Sequence, residues 1–197
     1  MLQIRKGLFE TNSSSVHTLV IAADDWTVEH LPETVSYEPF VIKGDTYGRI
    51  PEAPVDSIEG KLNYIWAAVL ELWGPSYSAY IENGEWLPAE KRPWVWQNEE
   101  RFNLWKNHLQ KMFPLAEFSI EGEMHYDVYI DHISELEPFM DALENDWSLL
   151  DLFLFSESSW FEQGGDEYSG PWEMLDYPWG ELCYDHTHQK YIYLKGN

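Results

Sequence analysis

The sequence predicts an α+β fold: a single domain over residues 1–197, with a mostly antiparallel sheet and about three helices packed on it. Three observations lead there. Short runs with the two-residue alternation of half-buried strands are joined by turn residues instead of helical crossovers, which favours antiparallel neighbours. Separate runs carry apolar residues at helical spacing, bounded by cap and stop signals. No Pro/Gly/Ser-rich linker, internal repeat or low-complexity tract divides the chain.

In chain order, Leu2-Gln3-Ile4 and Val16 to Ile21 read as strands flanking a polar turn at Thr11-Asn12-Ser13-Ser14-Ser15. Pro39 to Ile42, then Gly44-Asp45, then Thr46-Tyr47 suggests a short hairpin or edge element. Asp56 or Ser57 can cap a helix through Ile58, Leu62, Ile65, Trp66, Val69, Leu70 and Trp73, which Gly74-Pro75 ends. After a Pro- and Trp-containing loop from Trp86 to Trp96, a second helix runs from about Asn98 to Phe113, closed by Pro114.

Phe118-Ser119-Ile120 and Tyr126 to Ile130 alternate like half-buried strands joined by a tight turn near Gly122. Ser134 opens a third helix with Glu137 at capping-box spacing and an apolar stripe of Leu136, Phe139, Met140, Leu143 and Trp147, with Pro138 tolerable only in its first turn. Leu149 to Phe155 is a continuous apolar run suiting a strand covered on both faces, and a buried helix segment would look the same. A Gly-containing loop follows, and a hairpin of Glu181 to Tyr184 against Tyr191 to Leu194 ends the chain.

Composition narrows the function classes. With 44% hydrophobic and 16% aromatic residues the chain can bury enough surface to offset chain entropy, so a folded protein is expected. No run of eighteen apolar residues occurs and Met1 to Lys6 lacks a signal-peptide core, so a cytoplasmic, non-membrane location is expected. Cys183 is the lone cysteine, which leaves no disulfide framework and no thiolate cluster for structural zinc. A net charge of −23 argues against direct nucleic-acid or anionic-membrane binding and favours cationic partners.

That charge is unevenly spread. None of the 12 Lys and Arg residues lies in 112–189, and that interval holds 19 of the 35 carboxylates, −19 there against −4 elsewhere. With Phe118, Ile120, Tyr126, Val128 and Ile130 inward, Glu117, Glu121, Glu123, Asp127 and Asp131 face outward as a ladder. Same-face positions on a strand repeat about every 6.6–6.8 Å, near the phosphate spacing of one nucleic-acid strand. Glu137, Asp141 and Glu144, at i, i+4 and i+7, continue the pattern opposite the third helix's apolar stripe. Opposed carboxylates repel by roughly 0.2–1 kcal/mol per pair, and the interval contains no cation to relieve them. A basic groove on another protein could supply the missing cations; a well-solvated acidic surface would carry the same residues.

Three other constellations compete. Asn12, Ser13, Ser14, Ser15 and His17 offer hydroxyls, backbone N–H groups and an imidazole to a small ligand, although Ser15 and His17 at i and i+2 are too open for a direct nucleophile–base bond. A Ser/Thr turn explains the same stretch. Cys183, His186 and His188, with His125 or His132, could ligate a divalent metal, but a polar hairpin turn accounts for them, and neither metal nor cofactor is expected. Trp94, Trp96, Trp160, Trp172 and Trp179 beside carboxylates would suit a sugar cleft, yet core packing is the commoner use of Trp.

Arg5-Lys6-Gly7-Leu8-Phe9-Glu10-Thr11-Asn12-Ser13-Ser14-Ser15-Val16-His17 resembles the opening of a group of phage and prophage proteins sharing a Phe-Glu-Thr-Asn-Ser-Ser-Ser-x-His signature. The resemblance covers about the first seventeen residues, with Phe153-Leu154-Phe155 through Gly164-Gly165-Asp166 similar in flavour only. It carries over no catalytic residues. It implies a phage or mobile-element setting, where small acidic proteins often inhibit host defence nucleases.

The leading expectation is therefore a non-enzymatic acidic inhibitor. It would present the Glu117–Asp185 region to the basic nucleic-acid channel of a CRISPR effector or restriction enzyme in the host cytoplasm and compete as a nucleic-acid mimic. The alternatives are a small-ligand or nucleotide-binding or processing protein using the Asn12–His17 loop, and a phage assembly protein.

Overall fold

The computed structural model describes residues 16–22, 40–42, 44, 46–47, 54–77, 81–82, 85–86, 94–120, 129–130, 133–164 and 177–195. The expected strand at Leu2–Ile4 and the Thr11–Ser15 turn lie outside them. The architecture is α+β. The strands are β1 (Val16–Ala22), β2 (Phe40–Ile42), β3 (Thr46–Tyr47), β4 (Pro75–Tyr77), β5 (Ile81–Glu82), β6 (Glu85–Trp86), β7 (Trp94–Trp96), β8 (Ala116–Phe118), β9 (Tyr129–Ile130), β10 (Trp160–Gly164), β11 (Cys183–Asp185) and β12 (Lys190–Lys195). The helices are α1 (Ile58–Trp73), α2 (Glu99–Met112), α3 (Glu137–Asn145), preceded by a 3-10 turn at Ile133–Leu136, and α4 (Trp147–Phe155).

The main sheet is four-stranded and antiparallel, in the order β10-β1-β12-β11. β1 is central, with Leu19 opposite both Phe161 and Tyr193. Its two faces sort by residue parity, as strand geometry requires. Leu19, Ile21, Phe161 and Tyr193 join the large core, while Val20, Ile192 and Leu194 form a small second cluster with Trp160 and Tyr177 on the other face.

At the centre of the large core lies α1, where every residue from Lys61 to Leu70 except Asn63 is buried. A helix apolar all round needs neighbours on every side. Ser57 caps its start, its Oγ accepting the Gly60 N–H at 3.2 Å, and Gly74 closes its end, donating to the Leu70 carbonyl at 2.8 Å. α2 is framed by its caps, Asn98 and Phe113.

Several expectations are decided or corrected. Leu149 to Phe155 lies in a helix, α4: the Asp146 carboxylate accepts the Ser148 N–H at 3.1 Å and starts a nine-residue helix whose apolar positions bury in the core. The expected hairpin of Phe118–Ile120 with Tyr126–Ile130 has its turn and most of its second strand outside the described residues; among those described, β8 runs parallel to β2 and β9 parallel to β3. α1 bonds to the chain beside both pairs: Trp66 donates its Nε1–H to the Ser119 carbonyl at 2.7 Å, and the Glu71 carboxylate accepts the Ile130 N–H at 2.6 Å. Among the described residues β2 and β3 pair with β8 and β9 and not with each other, so of the expected hairpin or edge element the described pairing fits the edge element. Finally, Trp94–Trp96 leaves the expected loop as β7, antiparallel to β4 immediately after α1.

The third helix has no side-chain cap at Ser134. The 3-10 turn occupies that place, α3 begins at Glu137, and Pro138 sits in its first turn as its missing N–H allows. The closing hairpin forms as expected, with Tyr184 opposite Tyr191. Among the described residues no helix is long and apolar enough to cross a membrane.

Candidate functional site

The acidic residues of α3 do not stand alone. Arg101, from the first turn of α2, reaches across to all three: Nε meets Glu144 Oε2 at 2.7 Å, one terminal nitrogen meets Glu137 Oε1 at 3.4 Å, and the other bonds Asp141. The Trp105 indole N–H also donates to Glu144 Oε2, at 2.7 Å. The interval itself holds no cation, and the one that relieves this helix face comes from outside it. Burial works to lower the Arg101 pKa, and its bonds to Asp141 and Glu144 outweigh that and raise it. One positive charge among three carboxylates leaves the cluster net negative. Glu137 and Asp141 keep 48% of their side-chain surface and Glu144 24%.

Of the expected strand ladder, Glu117 is described. It is exposed on β8 between buried Ala116 and Phe118, and its β2 neighbour Val41 is exposed too. Ile120, expected inward, is at the surface, because the strand ends at Phe118. Glu121, Glu123, Asp127 and Asp131 lie outside the described residues.

His17 is buried on β1, and its Nδ1 lies 2.9 Å from the Tyr64 hydroxyl of α1. Lys195 of β12, also buried, stands directly opposite His17, so the two side chains share the sheet face that meets α1. Three polar, ionisable side chains are thus buried near the start of β1 on the face toward α1. Asn12, Ser13, Ser14 and Ser15 lie outside the described residues. Sequence reasoning missed Tyr64 and Lys195: Tyr64 sits inside an apolar helical run, and Lys195 reaches His17 only through strand pairing.

The C-terminal hairpin is organised by Asp185. Its Oδ1 accepts the N–H groups of Thr187 at 2.8 Å and His188 at 3.2 Å, and its Oδ2 lies 2.6 Å from His188 Nδ1. The His188 contact, with Tyr177 and the two backbone donors, outweighs desolvation and holds this carboxyl well below the usual range. That accounts for His188 as a turn residue. Among the described residues no three His, Cys, Asp or Glu side chains converge as a metal would need.

A cleft of about 400 Å³ opens between the start of α1 and the end of α4, lined by Asp56, Ser57, Ile58, Lys61, Phe155, Ser156 and Glu157. Lys61 is 1% exposed, and its ammonium donates to the carbonyls of Ser156 at 2.8 Å and Ser159 at 3.0 Å. Burial pushes its pKa down to about 8 against the pull of Asp56 and Glu157. The lysine ties the end of α4, where carbonyls lack helical partners, to α1.

The described tryptophans are largely structural. Trp73 stacks with Trp105 at 5.6 Å, Trp105 meets Trp147 edge-on at 4.9 Å, and Trp147 stacks with His108 at 3.8 Å. Trp96 and Trp179 are exposed, Trp160 is half-buried, and Trp172 and the Trp94 side chain are not described. No family model matches the chain, and comparison with curated proteins and with solved structures finds no match either.

Proposed function

We propose that the chain is an acidic, non-enzymatic inhibitor of phage or prophage origin. It binds the basic nucleic-acid surface of a host defence nuclease, a CRISPR effector or a restriction enzyme, in place of nucleic acid. The observation that carries this reading is the base-free interval 112–189 with its 19 carboxylates, where Glu117 is exposed and the α3 cluster stays net negative after Arg101 is counted. Arg101 also supports it by fixing two half-exposed carboxylates in place, which lowers the ordering cost of binding.

The test is a cleavage assay against purified nucleases with the protein added at low and high salt. Inhibition that weakens steeply with salt is expected, and it should vanish when Glu117, Glu121, Glu123, Asp127 and Asp131 become Lys. Asp141 and Glu144 are left intact because they hold Arg101. Inhibition unchanged by the five reversals overturns the reading.

A second reading, binding or processing of a small ligand or nucleotide at the Asn12–His17 end of β1, is favoured by the burial of His17, Tyr64 and Lys195 together. A nucleotide panel that raises Tm in the parent and not in Ser13→Ala/Ser14→Ala would support it over the first.

A further inference from the structure

We propose that the outer edge of β11 docks an extended, arginine-bearing segment of a basic partner, with Tyr184 as the ring on which a guanidinium stacks. This rests on the acidic-inhibitor reading and names the part of the partner that the C-terminal hairpin would hold.

The first support is topological. In the order β10-β1-β12-β11 the strand Cys183–Asp185 ends the sheet, and among the described residues it pairs on one side only, with β12. An edge strand offers its outward backbone groups to an added strand. The second support is the ring itself. Tyr184 is 38% exposed, yet it is braced by Tyr191 at 4.9 Å on the paired strand and by His186 at 4.9 Å, edge-on, at the turn. A ring held in place loses little freedom on binding. Farther along the same side of β12, Trp179 bridges to Leu194 and is 46% exposed, a second aromatic surface on this edge.

Charge selects the occupant. Glu181 is exposed, while Asp185 is buried, bonded to His188 and opposite Lys190, on a chain of net charge −23. A second copy of the chain would bring another −23 to the contact, whereas a basic segment complements it. Between the two basic side chains, arginine fits a tyrosine face better, because its planar, weakly hydrated guanidinium stacks where an ammonium stays solvated.

The test uses two ten-residue peptides, identical except that one carries arginines and the other lysines at alternate positions. Binding is measured by fluorescence anisotropy at low and moderate salt. The intact protein should prefer the arginine peptide by about threefold, the scale of an exposed cation–π contact. Tyr184→Ala should bring the ratio to about one with Tm nearly unchanged, Tyr184→Phe should keep it, and Glu117→Lys should weaken both peptides alike. A preference that survives Tyr184→Ala overturns the docking edge alone. Sedimentation showing a dimer that Tyr184→Ala dissolves overturns it as well, since the edge would then serve a second copy. If neither peptide binds at low salt, the acidic-inhibitor reading falls and the docking edge falls with it.

Discussion

The Arg101 guanidinium carbon lies 4.1 Å from the centroid of the Trp73 ring, so the cation that gathers three carboxylates of α3 also rests on the last aromatic residue of α1. Three helices meet at one side chain. Arg101→Ala should therefore cost about 2–3 kcal/mol in urea denaturation, the range for charge-assisted bonds lost with their acceptors left facing one another. Arg101→Lys should recover less than half, because an ammonium cannot span the fork. Combining Arg101→Ala with Glu144→Gln should cost less than the sum of the two, a coupling that a double-mutant cycle measures.

Lys61 sets an alkaline stability trend. Its folded pKa of about 8 lies below the ordinary 10.5, so between those values the unfolded chain holds the proton more tightly and stability rises with pH. Cys183 opposes this: burial, with help from Glu181, raises its thiol pKa above 9.0, so its contribution falls as pH rises past that value. Tyr193, raised above 10.0 chiefly by burial, opposes it higher still. In a Cys183→Ser background the urea midpoint should increase from pH 8 to 9.5, and Lys61→Met should flatten that rise.

Gly60 has no room for a side chain. A Cβ there would overlap Cγ1 of Val55 and come within 2.9 Å of Ser57 Oγ, the atom that caps α1. Val55 cannot retreat easily, since it exchanges backbone bonds with Phe161 at 2.8 and 3.1 Å. Gly60→Ala should destabilise by about 1–3 kcal/mol, as overpacking does, despite alanine's better helix propensity. Thermal unfolding reads this directly.

The hairpin turn carries strain at Gln189, whose φ of 51° lies in the left-handed region. Gln189→Gly should stabilise by about 0.5–1 kcal/mol, part of the penalty a Cβ meets there. Acid should loosen the same turn. Asp185 has its pKa lowered, so its contribution is present above 3.8 and is lost as pH falls below that value. Amide protection at Thr187 and His188, relative to the intrinsic exchange rate, should fall first on acidification, and Asp185→Asn should lower it at neutral pH.

Local pattern determined a good part of this protein. The span and cap of α1, the span of α2, β1, and the closing hairpin are legible because each depends on neighbours a few residues away: Ser57 on Gly60, Tyr184 on the turn before Tyr191. The uneven charge is likewise a property of the sequence alone. Tertiary structure decided the rest. Leu149–Phe155 became helical because apolar content without period cannot distinguish strand from helix, and burial selected α4. β8 and β9 pair with β2 and β3 from far along the chain, and α1 bonds Ser119 and Ile130 beside those pairs. Arg101 met Glu144 43 residues away, and His17 met Tyr64 47 away. Electrostatic and hydrogen-bond energies depend on distance in space, and a one-dimensional sequence carries that distance only where the chain is short between the partners.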